Sequence, residues 1–308
     1  MTLQELRYIV ALADEGHFSH AAEVCHVGQP TLSTQIKKLE DLLGVILFDR
    51  SQRRVAPTAI GEQIVSRARV ALQEIDKIRE LVINGRDLMS GVLRLGVIPT
   101  VGPYLLPLLL AAIHTSYPQL RLLLREDLTA HLLEQLRIGR VDAALMALPV
   151  HSEGLEAQAL FTEPFVLALP AGHPLTEKKE VREEDLCGHC ILLLEEGHCL
   201  RDQALTICGS MRCVESDEVT ATSLETLRQM VAVGVGCTLL PALAAAPSVG
   251  SLQEGLIEIR PFADPAPSRT IALLWRHRYP REDALILLAK LIRRNLPPAV
   301  TVIDVNAA

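Results

Sequence analysis

Aromatic residues are scarce in this chain, at 3% of 308 residues, with a single tryptophan. The core must therefore be built from Leu, Val, Ile and Ala. No apolar run approaches the ~20 residues that a membrane-spanning helix requires, so no membrane role is expected. The opening Met1-Thr2-Leu3-Gln4-Glu5 lacks the pattern of a secretory signal, and a cytoplasmic protein is expected. Seven cysteines are too few, and an odd number, for a secreted disulfide framework. Positive charge is in deficit: 30 Lys and Arg against 37 Asp and Glu give a net charge of −7. That argues against a generally basic nucleic-acid binder, so any DNA contact must come from a local patch. The length suits two or more domains.

What is present is a pair of cysteines nine positions apart, in Glu196-Gly197-His198-Cys199-Leu200-Arg201-Asp202-Gln203-Ala204-Leu205-Thr206-Ile207-Cys208. A thiol reacts as its thiolate, which positive charge or a helix N-terminus favours. Gly197 can end the apolar run Ile191-Leu192-Leu193-Leu194, read as a strand, and Cys199 would then open a helix. Cys208 is the candidate resolving thiol. If the run is helical, its ends lie roughly 13 Å apart, whereas a disulfide needs about 7 Å or less. Bonding the pair would force the segment to unwind. The residues alone leave two readings open, a covalent switch or two unrelated cysteines.

Residues 1 to 60 read as a compact helical unit. Leu3, Leu6, Ile9, Val10 and Leu12 recur at helical spacing. Gly16 breaks the pattern, and Ser19 is the expected cap of a second helix. After the turn Cys25 to Gln29, Pro30 suits the first position of a third helix. Its polar side carries Thr31, Ser33, Thr34, Gln35, Lys37 and Lys38, and its apolar side Leu32, Ile36 and Leu39. This describes a helix-turn-helix whose last helix enters the major groove. Gln29, Gln35, Ser and Thr can read base edges, while the lysines suit phosphates. Arg50, Arg53 and Arg54 cluster on a hairpin-like wing.

His17-Phe18-Ser19-His20-Ala21-Ala22, Val27-Gly28-Gln29-Pro30-Thr31-Leu32-Ser33, Ile36-Lys37-Lys38-Leu39-Glu40 and Leu47-Phe48-Asp49-Arg50 resemble the winged helix-turn-helix of LysR-type transcriptional regulators. One departure is Gly28, where the family commonly has serine.

From Thr58 to about Asn84 the chain reads as one long helix. Ile64, Ala68, Ala71, Ile75, Ile78 and Val82 alternate at spacings of four and three, a heptad seam that predicts pairing with a second copy. Strands and helices then alternate: strand 92–98, helix 103–115, strand 120–125, helix 129–136 and strand 143–147. The pattern continues with strand 165–169, helix 223–233, strand 237–240, strand 270–275 and helix 282–294. This βαβ order predicts a parallel sheet with helices on its faces. The expected architecture is α+β and multidomain. A winged helix-turn-helix (1–58) and a linker or dimerisation helix (59–88) precede a two-lobed, periplasmic-binding-protein-like α/β domain (89–308). Lobe I would span 89–163 and 267–302, and lobe II 164–266. Ligands in such sheets bind beyond strand C-termini. Thr100, Thr129 and Cys199 each follow a predicted strand and can converge there.

Within the family, the sensing half looks most like the hydrogen-peroxide-responsive activators. The similarity lies in Ile98 to Pro107, Gly197 to Ala204, Cys208, Ala221 to Leu227 and Thr238 to Ala242. The resemblance implies that Cys199 is the peroxidatic thiol, that Cys208 is its disulfide partner, and that Thr100, Thr129 and His198 line a peroxide pocket. Threonine hydroxyls suit a small peroxide, and an imidazole can donate to a thiolate or shuttle its proton. Asp202 is expected beside them in the pocket, anchoring its loop, and Arg269 is expected to pair with a carboxylate. The implied partners are promoter DNA, hydrogen peroxide, RNA polymerase, further copies of the chain as a dimer of dimers, and a thiol reductant such as glutaredoxin or thioredoxin. No cofactor is expected. Cys187-Gly188-His189-Cys190 is a Cys-x-x-Cys, but no second Cys/His pair completes a zinc site, so no metal is expected; accessory redox and an incidental pair remain open. Cys213 can compete with Cys208, Cys237 is extra, and Cys25 suits a core. One competing hypothesis is a LysR-type regulator whose cleft binds a small metabolite. A thiol peroxidase or disulfide reductase is the other, against which the DNA head and linker count.

Overall fold

A computed structural model of the chain describes residues 1–50, 54–83, 88–151, 153–209, 214–215, 221–245 and 255–303, with backbone alone at 73, 76–83 and 214–215. It divides into two compact units, Met1–Asp87 and Leu88–Ala308. Among the described residues, no helix is long and apolar enough to cross a membrane.

In the first unit, α1 (Leu3–Glu15) opens with a reciprocal capping box between Thr2 and Glu5 and stops at Gly16, whose φ is +68°. The second helix, α2 (Phe18–Val24), is capped by the backbone of His17, so Ser19 lies inside it and is not the cap the sequence suggests. Helix α3 (Gln29–Leu43) opens at Gly28, and Pro30 takes its second position. Gly28 offers no side-chain cap, for which a serine would be worth roughly a few tenths of a kcal/mol. Strands β1 (Phe48–Asp49) and β2 (Ala56–Pro57) pair antiparallel as a wing. Ile9, Leu12, Ala21, Leu32, Ile36, Leu39, Leu47 and Phe48 form the core of this unit.

Helix α4 (Ala59–Ile83) carries part of the expected seam inside its own unit. Ala68 and Val65 are buried in the core of their own unit, with Ile64 and Ala71 packed against it. The first half of the heptad pattern thus serves α1, because an apolar stripe looks alike whichever helix covers it. Gly61 sets the approach: a Cβ there would lie 2.0 Å from the Leu47 carbonyl oxygen. Ile75 is half-exposed, and the side chains of Ile78 and Val82 lie outside the described residues.

The second unit opens with β3 (Gly91–Val97), α5 (Gly102–Ser116), β4 (Leu120–Glu126), α6 (Thr129–Arg137), β5 (Ala143–Leu148) and β6 (Leu155–Pro170). It continues through β7 (Cys190–Ile191), α7 (Cys199–Cys208), β8 (Val214–Glu215), α8 (Leu224–Ala232), β9 (Thr238–Pro241) and α9 (Ala242–Ala245). β10 (Ile257–Pro261), β11 (Ser268–Arg276), α10 (Glu282–Arg294) and β12 (Thr301–Val302) complete it. Strand β3 runs parallel to β4 and β5, but β11 is antiparallel to both β5 and β6, so the expected all-parallel sheet is mixed. The reason is β6. Its first half pairs with β11, and from Phe165 on it pairs with β9 and β10 in a second sheet. The chain crosses from one lobe to the other along β6 and returns along β11.

Ala68→Leu should destabilise the first unit by about 1–3 kcal/mol through overpacking, read by urea unfolding. Unchanged stability would return Ala68 to an open seam.

Candidate functional site

The cysteine segment folds as α7, which runs from Cys199 to Cys208. Gly197 has φ +94°, a left-handed conformation natural to glycine, and its open α-carbon faces Leu128: a Cβ would lie 3.0 Å from Leu128 Cδ1. His198 is the N-cap residue, and Cys199 is the first residue of the helix. Both are thiols; Cys199 is half-buried and Cys208 buried. Ten helical residues hold their α-carbons about 13 Å apart.

Cys199 borders a narrow cleft, too tight as it stands for a water molecule, lined by Ile98, Pro99, Thr100, Leu128, Thr129, Gly197 and His198 as well. Thr129 is the first residue of α6, so two helix N-termini meet here. Asp127 holds that turn: its carboxylate accepts from Leu128 N at 2.9 Å and from Gln135 Nε2 at 2.9 Å, and it pairs with His131. Burial acts against the Asp127 anion, but these hydrogen bonds outweigh it and hold the carboxyl below its ordinary value. The Thr129 hydroxyl oxygen is buried and has no hydrogen-bond partner.

Thr100 is 1% exposed. Its hydroxyl oxygen accepts from Arg269 Nη1 at 2.9 Å, and its carbonyl accepts from Arg269 Nη2 at 3.0 Å. Arg269 Nε donates to Glu163 Oε1 at 2.8 Å, and Glu163 Oε2 accepts from Leu243 N at 3.2 Å. Glu163 is thus the carboxylate partner of Arg269, opposite it across β6 and β11. His198 is buried, and burial pushes its pKa below the ordinary 6.5 against the pull of Glu195, favouring a neutral imidazole.

Cys199, Thr100, Thr129 and His198 therefore converge. Asp202 does not: it is exposed in the first turn of α7, where the helix carries it to the solvent side, and its carbonyl accepts from the Thr206 hydroxyl. Glu163 and Asp127 were not anticipated as supports. A lone carboxylate between Leu160-Phe161 and Phe165-Val166-Leu167 is the signal that could have found Glu163. Cys187 is exposed, Cys190 and Cys25 half-buried, and Cys237 buried; Cys213 lies outside the described residues. Among the described residues, no cluster of three or more His, Cys, Asp or Glu is arranged to hold a metal.

On α3, Gln29, Pro30, Thr31, Thr34, Lys37 and Lys38 are exposed, while Ser33 and Gln35 are half-buried. Thr34 donates to the Pro30 carbonyl at 2.7 Å. Arg50 is less available than its sequence position suggests. It pairs with Glu40 at 2.6 Å and stacks over the Phe18 ring at 5.3 Å. Glu40 also accepts from Leu47 N and Phe48 N, so this cluster fixes the wing to α3. Arg54 is exposed beside Gly16, and Arg53 lies outside the described residues.

Residues 3–62 match the family model "Bacterial regulatory helix-turn-helix protein, lysR family", and residues 86–297 match "LysR substrate binding domain". The chain is 44% identical over 296 residues to the DNA-binding transcriptional dual regulator OxyR of Escherichia coli K12, covering 96% of each protein. It superposes on full-length OxyR from Pseudomonas aeruginosa, a cysteine-to-aspartate variant, with a TM-score of 0.80 and 44% identity, covering 96% of this chain and 99% of that one. A hydrogen-peroxide-bound cysteine-to-serine mutant of Corynebacterium glutamicum OxyR matches with a TM-score of 0.66 and 32% identity, covering 97% of this chain and 93% of that one.

Glu163→Gln leaves the Arg269 guanidinium buried without its counter-charge and should cost about 3–5 kcal/mol in urea unfolding. A loss below about 1 kcal/mol would mean that Thr100 alone satisfies Arg269. The buried neutral His198 adds a pH dependence. Its folded pKa is depressed, so the unfolded chain takes up the proton first and stability is lost as pH falls below 6.5. His198→Asn should therefore lose less stability than wild type between about pH 7.5 and about pH 5.5. Equal losses in thermal unfolding would contradict the burial of a neutral ring.

Proposed function

The chain belongs to the LysR family of bacterial transcription regulators, and we propose that it is a peroxide-responsive DNA-binding regulator switched by a Cys199–Cys208 disulfide. The observation that carries this reading is the cleft at Cys199. As it stands the cleft has no room for a water molecule, against the roughly 300–1,000 Å³ of sites for organic ligands, which counts against a metabolite receptor. A molecule of two oxygens, each able to donate and accept, asks the smallest opening of it. The unpartnered Thr129 hydroxyl can take one of them. The Thr100 oxygen accepts from Arg269, leaving its own proton to donate to the other.

The Cys199 sulfur attacks one peroxide oxygen, the O–O bond breaks, and the departing oxygen takes up protons to leave as water. The resulting sulfenic acid is then attacked by the Cys208 sulfur, a second water leaves, and the S–S bond closes. The second step requires α7 to unwind, since its helical span of about 13 Å exceeds the 7 Å limit of a disulfide. A thiol reductant such as glutaredoxin or thioredoxin would reverse the bond. The protein reacts once per activation and is not an enzyme in this reading.

The DNA contact is assigned to Gln29, Pro30, Thr31, Ser33, Thr34 and Gln35 for bases, and to Lys37, Lys38, Arg53 and Arg54 for phosphates. Arg50 is assigned to holding the wing, with phosphate contact through its exposed edge. Leu110 and Leu124 on α5 and β4, and Val233 and Val235 after α8, are exposed apolar residues, which supports an assembly of several copies. The rearranged regulatory units would shift the DNA heads and their contact with RNA polymerase. Operation in the cytoplasm fits this chemistry.

Brief exposure of the reduced protein to about one equivalent of peroxide should yield a dominant Cys199–Cys208 crosslink in non-reducing peptide mapping. Cys199→Ser and Cys208→Ser should each abolish it. Thr129→Val should slow its formation without changing α7 helicity. A Cys199 that stays reduced would overturn the assignment.

A further inference from the structure

The Cys-x-x-Cys at 187–190 takes no part in the switch proposed above, yet it is built into the frame around α7. Leu186 to His189 form a type II turn: Cys187 has φ −62° and ψ 129°, Gly188 has φ +78°, and His189 N donates to Leu186 O at 3.2 Å. The His189 ring packs against His173 at 4.8 Å. Cys190 then opens β7, and its carbonyl accepts from Cys237 N at 3.0 Å and from the Cys237 thiol at 3.3 Å. The turn is thus pinned on both flanks and presents Cys187 to solvent.

Its position links it to the switch segment. The short 3₁₀ helix Glu183–Leu186, immediately before Cys187, packs on α7. On the other side, β7 pairs in parallel with β8, Cys190 opposite Val214, a few residues beyond Cys208. Whatever moves the Cys187–Cys190 turn therefore pulls on an element packed on α7 and on a strand that follows Cys208 in the chain.

The access of the two thiols also differs. Cys199 looks into a narrow cleft, whereas Cys187 is exposed on a turn. The first has no room even for a water molecule as it stands; the second can meet a bulky sulfur partner. We propose that Cys187 and Cys190 form a second redox-active dithiol, open to low-molecular-weight disulfides, whose closure loosens β7–β8 and eases the Cys199–Cys208 switch. In the first step the Cys187 thiolate attacks a disulfide R–S–S–R, and RS⁻ leaves and takes up the proton. The Cys190 thiolate then attacks the Cys187 sulfur of the mixed disulfide and the second RS⁻ leaves, so that one dithiol and one R–S–S–R give one protein disulfide and two RSH. Only the effect on the switch rests on the function proposed above; the dithiol chemistry does not.

The test uses the full chain in buffers of reduced and oxidised glutathione, with non-reducing peptide mapping. The Cys187–Cys190 crosslink should rise with the ratio of oxidised to reduced glutathione in wild type and equally in Cys199→Ser, and be absent in Cys187→Ser. A pair that stays reduced at every ratio, a glutathione adduct that persists on Cys187, or a Cys190–Cys237 crosslink would overturn it. In the second arm, protein closed at 187–190 should need at least about twofold less peroxide for half-conversion of Cys199–Cys208 than Cys187→Ser, the lower end of coupling between contacting groups. An equal or larger dose would overturn the coupling. If Cys199 ignores peroxide in both proteins, the function above fails while the glutathione arm still decides the dithiol.

Discussion

The regulatory unit is organised around one buried ion pair. Arg269 and Glu163 face each other where β11 and β6 pass between the two sheets, with side chains 1% and 0% exposed. Two charges at that depth are tolerable only if every donor and acceptor finds a partner. Arg269 achieves this by reaching out of the pair to both the hydroxyl and the carbonyl of Thr100, and Glu163 by accepting from Leu243 N. Four chain segments are thereby fixed to one point. The Thr100 hydroxyl that borders the cleft is oriented by the same bond, so the support of the fold and the preparation of the site are one structure. An apolar pair in place of these charges would leave Thr100 free to turn.

The cleft and the proposed Cys199–Cys208 bond impose opposite demands on α7. To hold Cys199 against Thr100 and Thr129 the segment must be helical; to bond Cys208 it must not be. Helical packing buries Leu200, Ala204 and Ile207. Full burial of a leucine or isoleucine side chain is worth about 1.5–3 kcal/mol, so several kcal/mol favour the reduced arrangement. Oxidation of the proposed pair would have to exceed that, and for a two-electron couple about 30 mV corresponds to 1.4 kcal/mol. The packing of α7 would then tune the potential of that pair. Leu200 or Ile207 should affect sensitivity as strongly as residues near sulfur, although neither takes part in the chemistry.

Much of this was legible in the sequence where local signals and tertiary packing agree. Helix α10 has the bounds its periodicity gives, Glu282–Arg294, because its apolar stripe lies on the core. The cleft residues Thr100 and Thr129 could be placed because each follows a strand. The first half of β6 was not legible: Leu155-Glu156-Ala157-Gln158-Ala159 has weak strand propensity and is extended because β11 pairs along it. The seam on α4 was legible as a stripe but not as to its partner, since Ala68 packs on the chain's own α1 and α2 unit. Asp202 was drawn to the cleft by its nearness in sequence to Cys199, and the helical turn takes it away.

In the proposed function, the tightness of the cleft decides what the cysteine can discriminate. Organic hydroperoxides and disulfides carry substituents for which the walls at Ile98, Pro99 and Leu128, already closed to a water molecule, would have to open furthest. Water has no bond that a thiolate can break by attack at oxygen. Selectivity for the smallest peroxide would then need no recognition beyond exclusion and two hydroxyls. The apolar wall contributes as much as the threonines, because widening it would admit larger oxidants before it altered any hydrogen bond. Small size also limits the binding energy available, so the site must gain its rate from orientation rather than from affinity. That explains why Thr100 is held by a buried arginine, and why the turn at Thr129 is fixed by Asp127 through three separate contacts.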